Sequence, residues 1–178
     1  MIKAAKSTKR IEVIDKILNT IADPKIYKTI DYVRYDENYI KQYIYQPLIR
    51  CIKNIHVKRG LTESRALTKA EKSLLWEGNK ETTVSNLQFL GCSHRPDMAL
   101  EINGMNLAIE FKKGGNGSSL REGIGQAIVY TSKYDFVIYL LIDTTKDKSI
   151  QQASKNPLES KFINDLWNHH NVYFKIVS

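Results

Sequence analysis

A chain of 178 residues with 42% hydrophobic content fits a soluble globular protein, one domain or one domain with an appendage. No run of 18 apolar residues reads as a membrane span, and two cysteines are too few for a disulfide framework. Lysine and arginine outnumber aspartate and glutamate 27 to 19, and the net charge of +8 attracts polyanions without specifying which sequence they carry.

In chain order, residues 9–22 read as an amphipathic helix with Ile11, Ile14, Ile17, Leu18 and Ile21 on one face, ended by Asp23-Pro24. Residues 25–35 fit a strand or an irregular connector. A second helix is expected from Asp36 to about Asn54, with Ile40, Ile44 and Leu48 at helical spacing; Pro47 inside it implies a kink or a second segment. Residues 61–77 are polar and helix-forming, an exposed helix or an arm with a basic side. Residues 80–90 then read as the first strand, ending at Gly91.

The stretch from Arg95 to Lys113 is the most informative. Two apolar runs flank Asn103-Gly104, a dipeptide strongly favoured between hairpin strands. Side chains alternate along a strand, so Ala108, Glu110 and Lys112 share one face while Leu107, Ile109 and Phe111 take the other. The hairpin brings Asp97 back beside Glu110 and Lys112, two carboxylates and an ammonium held by backbone. Such carboxylates suit Mg²⁺, which keeps waters for phosphate oxygens, and a nearby lysine can orient a water or offset charge at phosphorus. The chemistry this outlines is phosphodiester hydrolysis; the blander reading of Glu110 and Lys112 is a solvated surface pair.

A glycine-rich loop follows, then a helix from Ser118 or Ser119, with Glu122 completing a capping-box pattern. Leu120, Ile124, Ala127, Ile128 and Thr131 form its expected buried face, with Glu122, Gln126 and Tyr130 along another stripe. Arg121 lies in the first turn, where phosphate binds readily. Residues 135–143 form a continuous apolar run bounded by aspartates and read as a central buried strand. A helix over 157–170 and a strand over 171–177 complete the chain.

The order Pro96-Asp97, Glu110-Phe111-Lys112, then a helix carrying Gln126 and Tyr130, resembles the PD-(D/E)xK nuclease superfamily over roughly residues 36–143. The resemblance extends to archaeal junction resolvases, type I restriction nuclease domains and RecB-like members with a QxxxY helix. It implies an α/β fold: a restriction-endonuclease-like αβββαβ core with a mixed central sheet. An N-terminal helical appendage (1–35) and a C-terminal helix and strand (144–178) would flank that core. It also implies that Asp97 and Glu110 bind Mg²⁺, with Mn²⁺ able to substitute, and that Lys112 acts on the attacking water. Gln126 would stand beside the site, and Glu37 would be a further metal ligand.

DNA is the expected partner, with Lys113, Arg121 and Tyr130 as nucleic-acid contacts. The expected activity is that of a metal-dependent deoxyribonuclease, an endonuclease of the junction-resolving or restriction-like kind; junction resolution implies a homodimer. The alternative is a nucleic-acid-binding module on the same fold that does not cleave. The cysteine count and the absence of a signal-peptide pattern fit a cytoplasmic protein. The ten tyrosines read as core and interface residues rather than base-stacking platforms. Cys92 and His94 lack partners for a zinc site, and no nucleotide-binding glycine loop, GxSxG or HExxH is present.

Overall fold

The computed structural model describes residues 4–78 and 83–178, an α/β fold with helices around a mixed five-stranded sheet. The first helix, α1, spans Thr8–Ile21; Asp23 then caps a short α2 over Pro24–Thr29 by accepting from the Lys25 N–H. Segment 25–35 is therefore a helical turn followed by bends, not a strand. Helix α3 runs from Glu37 to Val57, capped by Asp36, and is continuous through Pro47. Helix α4 spans Glu63–Ser73 and buries Ala66 and Ala70. Small side chains there let α4 lie close on α3, so this segment is a packed element rather than an arm.

Strand β1 (Leu74–Trp76) leaves α4 directly. Strands β2 (Leu87–Phe89) and β3 (Cys92–His94) pair only with each other, about a turn in which Leu90 and Gly91 both adopt positive φ. The strand expected over 80–90 is thus confined to residues 87–89 and stands outside the main sheet; residues 80–82 of that expectation lie outside the described residues.

Strands β4 (Met98–Ile102) and β5 (Met105–Gly114) form the expected hairpin, with Asn103 at φ 59° and Gly104 at φ 67°. Positive φ at both central positions is the geometry Asn-Gly favours, because its twist matches that of the strands. Helix α5 (Gly117–Tyr130) crosses to β6 (Phe136–Asp143), which is buried along its whole length. Helices α6 (Ser149–Ala153) and α7 (Pro157–His170) lead to β7 (Val172–Val177). The sheet order is β1-β4-β5-β6-β7, antiparallel from β1 to β5 and parallel from β5 to β7.

One face of the sheet carries an aliphatic cluster that includes Ile14, Ile17, Ile40, Ile44, Leu107, Ile109, Phe111, Ile138 and Leu140. Residues 1–35 had been expected as an appendage, yet Ile14, Ile17 and Ile21 of α1 lie fully inside this cluster. The other face holds a smaller cluster in which Ala99, Ala108 and Ala127 sit among Tyr130, Tyr139 and Phe174. Helix α5 buries Gly123, Ala127 and Tyr130, whereas Ile128 is exposed. Its face is rotated from the apolar expectation because Gly123 admits the Tyr139 ring, which a β-carbon there would strike. The cap is Asn116, whose side chain accepts from the N–H groups of Ser118 and Ser119, in place of the serines themselves.

Candidate active site

The hairpin's open end, away from its turn, gathers the charged residues. Met98 pairs with Ile109, so Asp97 and Glu110 emerge side by side. Both are buried, at 8% and 5% exposure, and the Asp97 N–H points at Glu110 Oε2 across 3.4 Å. Asp97 Oδ2 accepts from the Phe111 N–H at 2.7 Å, which locks the carboxylate onto β5.

Two residues absent from the sequence expectation complete this end. Lys41 of α3 is only 3% exposed, and its ammonium lies 2.7 Å from Asp97 Oδ1 and 2.6 Å from Glu77 Oε1. Glu77 follows β1 and also meets Arg95 at 3.2 Å. Their signal in the sequence is faint but real. Lys41 occupies a position beside Ile40 and Ile44 on the apolar stripe of α3, where a cation requires an anionic partner.

The carboxylates are strongly perturbed. Burial, with the charge of Asp97 beside it, lifts Glu110 to about 8. Burial lifts Asp97 to about 6 against the pull of Lys41 and the Phe111 N–H. Burial also pushes Glu77 up, but Lys41 and Arg95 outweigh it and hold Glu77 below the usual carboxylate range. Lys112 loses some basicity to burial and more than regains it from Glu122, Glu37 and Glu110, so its ammonium stays charged. It is therefore a donor and a positive charge, not a base.

The remaining expected residues are placed as follows. Lys112 pairs with the exposed Glu122 of α5 at 3.2 Å. Gln126 lies one turn further along α5, and its Oε1 is buried with no partner. Glu37 accepts from the backbone N–H of Lys113 at 2.5 Å, tying the start of α3 to the end of β5.

Two of the expected nucleic-acid contacts are spent elsewhere. The Lys113 ammonium donates to the carbonyls of Val33 and Tyr35, both at 2.7 Å. Tyr130 is 1% exposed and donates to the Arg95 carbonyl at 2.9 Å, so it supports the site from inside. Arg121 remains exposed in the first turn of α5.

The donor set fits a hard divalent cation through few protein ligands. Two buried carboxylates that resist ionising together, beside an unpartnered amide oxygen, are groups a cation would relieve. Among the described residues, no three His, Cys, Asp or Glu side chains converge to cage a metal by themselves. Compared with family models, curated proteins and solved structures, the chain matches none. No helix among the described residues is long and apolar enough to cross a membrane.

Proposed function

We propose that the protein is a metal-dependent deoxyribonuclease of the PD-(D/E)xK kind, with a restriction-endonuclease-like core. The observation that carries this reading is the buried Asp97–Glu110 pair at the open end of the hairpin, with Lys112 next on the same strand. Asp97 and Glu110 would hold a Mg²⁺ or Mn²⁺ ion, which when bound lowers the pKa of a water and offsets charge at phosphorus.

The protein's own part follows from its geometry. The Phe111 N–H fixes the Asp97 carboxylate, and the Glu37 carboxylate fixes the backbone of Lys113, so Lys112 projects from a strand end tied on both sides. Lys112, kept charged, orients a water or stabilises a phosphate oxygen by donating to it. Its bond to Glu122 is the exchangeable one, because the Glu122 side chain is 58% exposed. Gln126 offers its unpartnered oxygen to a water beside Glu110. The net charge of +8 favours a polyanionic substrate.

A second reading, a binding module that does not cleave, has one observation in its favour. Both oxygens of Asp97 are already taken, by Lys41 and by the Phe111 N–H. In that reading Lys41 permanently supplies the positive charge a metal would otherwise bring.

Labelled duplex, single-strand, flap and four-way-junction DNA, incubated with Mg²⁺, Mn²⁺ or EDTA, separates the two. The nuclease reading expects metal-dependent cutting that falls at least roughly a hundredfold in Lys112→Ala and Asp97→Ala. Binding without cutting in every metal, unchanged by either substitution, would establish the binding module instead.

A further inference from the structure

Next to the candidate site lies a row of aromatic rings that the core does not use. Tyr35, Tyr39 and Tyr43 are 40%, 42% and 42% exposed. Tyr39 and Tyr43 are one turn apart on α3, and Tyr35 precedes the Asp36 cap, so the three follow one another along one side of the helix start. The rings of Tyr35 and Tyr39 are stacked, with centroids 4.2 Å apart and planes 21° from parallel.

The row is anchored to the site. The Tyr35 carbonyl accepts from the Lys113 ammonium, Glu37 accepts from the Lys113 N–H, and Lys41, between Tyr39 and Tyr43, holds Asp97. Exposed, near-parallel tyrosines are costly to leave in water and gain nothing from the fold.

We propose that this tyrosine ledge stacks the unpaired bases of a single strand led past Asp97 and Glu110. The inference rests on the nuclease reading for its location and deepens it by naming the substrate class. A base inside a duplex has both faces covered, whereas an unpaired base presents a π-face that any aromatic ring can take. The acids near the ledge do not oppose a strand strongly. Asp36 is occupied as a helix cap and Glu37 by Lys113, while Arg34 beside Tyr35 is exposed. A single strand also fits the net positive charge, which a second copy of this chain would repel.

The test is fluorescence anisotropy of the full chain in EDTA, with a labelled oligothymidine and a blunt duplex hairpin. Tyr39→Ala and Tyr43→Ala are expected to weaken oligothymidine binding roughly five- to a hundredfold each while changing duplex binding little. Tyr39→Phe is expected to restore binding, because the ring stacks without its hydroxyl. Equal losses on both probes, or none, would overturn the proposal. So would a Tyr→Ala variant that shifts sedimentation from dimer to monomer with DNA binding intact, which would make the row a self-association face. Because cleavage is silent in EDTA, tyrosine-dependent strand binding without metal-dependent cutting would remove the nuclease reading and leave the ledge.

Discussion

On the face of the sheet covered by α1 and α3, Leu107, Ile109 and Phe111 of β5 lie in an aliphatic cluster with isoleucines and leucines from both helices. On the opposite face, under α5, the same strand presents Ala108 and then Glu110, and its neighbours are alanines and tyrosines. The Tyr139 hydroxyl and Gln126 Oε1 are buried there without partners. One strand therefore serves two environments by alternation alone. The first face concentrates apolar burial and holds the fold. The second tolerates small residues, orphaned polar atoms and perturbed carboxylates, features that cost stability and are common where chemistry occurs.

Breaking the charged cluster should have the largest effect. Lys41→Met leaves Asp97 and Glu77 without their shared cation, and urea denaturation at neutral pH should report a loss of about 3–5 kcal/mol. A comparable loss of stability in the isosteric Asp97→Asn would mark the whole cluster as structural. Leu140→Ala, on the aliphatic face, should cost about 3 kcal/mol in the same assay while leaving DNA affinity unchanged. If it weakened DNA binding as strongly as stability, the division between the faces would be wrong.

The pH dependence sharpens the contrast. Glu110 is lifted to about 8 in the folded chain, above its ordinary value of 4.5, so between those values the native state holds the proton more tightly. Stability from this group is present at low pH and is lost as pH rises from about 4.5 through about 8. Asp97 contributes the same sign over a lower window, from 3.8 to about 6. Glu110→Gln should flatten the decline between pH 6 and 8, which amounts to at most roughly 1.4 kcal/mol per pH unit. An unaltered slope in that variant would remove Glu110 from the account. The smallest effect expected is for Tyr139→Phe, which deletes a buried hydroxyl with no partner and should be neutral or stabilising by up to about 1 kcal/mol in thermal melts.

The hairpin, β6, α7 and β7 were legible because their signals are local: a turn dipeptide, one apolar run, a proline at a helix start. Strand β1 was not, since Leu74–Trp76 leaves α4 without any turn residue and owes its form to pairing with β4. The hairpin β2–β3 mimicked a core strand by composition, but its residues are half or fully exposed. Asp97, Glu110 and Lys112 could be placed together from alternation and one turn. Lys41 and Glu77 could not, because their link to Asp97 joins three elements distant in sequence. The tyrosine ledge was hidden for another reason: tyrosine serves both interior and surface, and only the packed fold decides which.

The cluster's sequence separations have a consequence for how the chain acquires its chemistry. Lys41 meets Asp97 across 56 positions, and Glu37 meets Lys113 across 76. Contacts that close loops of this length form late in folding, after nearer pairings have restricted the chain. A ribosome-bound chain that had not yet released residue 113 would carry ordinary carboxylates, separate and solvated. Their raised proton affinity, and whatever reactivity comes with it, would appear together with the last tertiary contacts, so the site would act as its own reporter of completed folding.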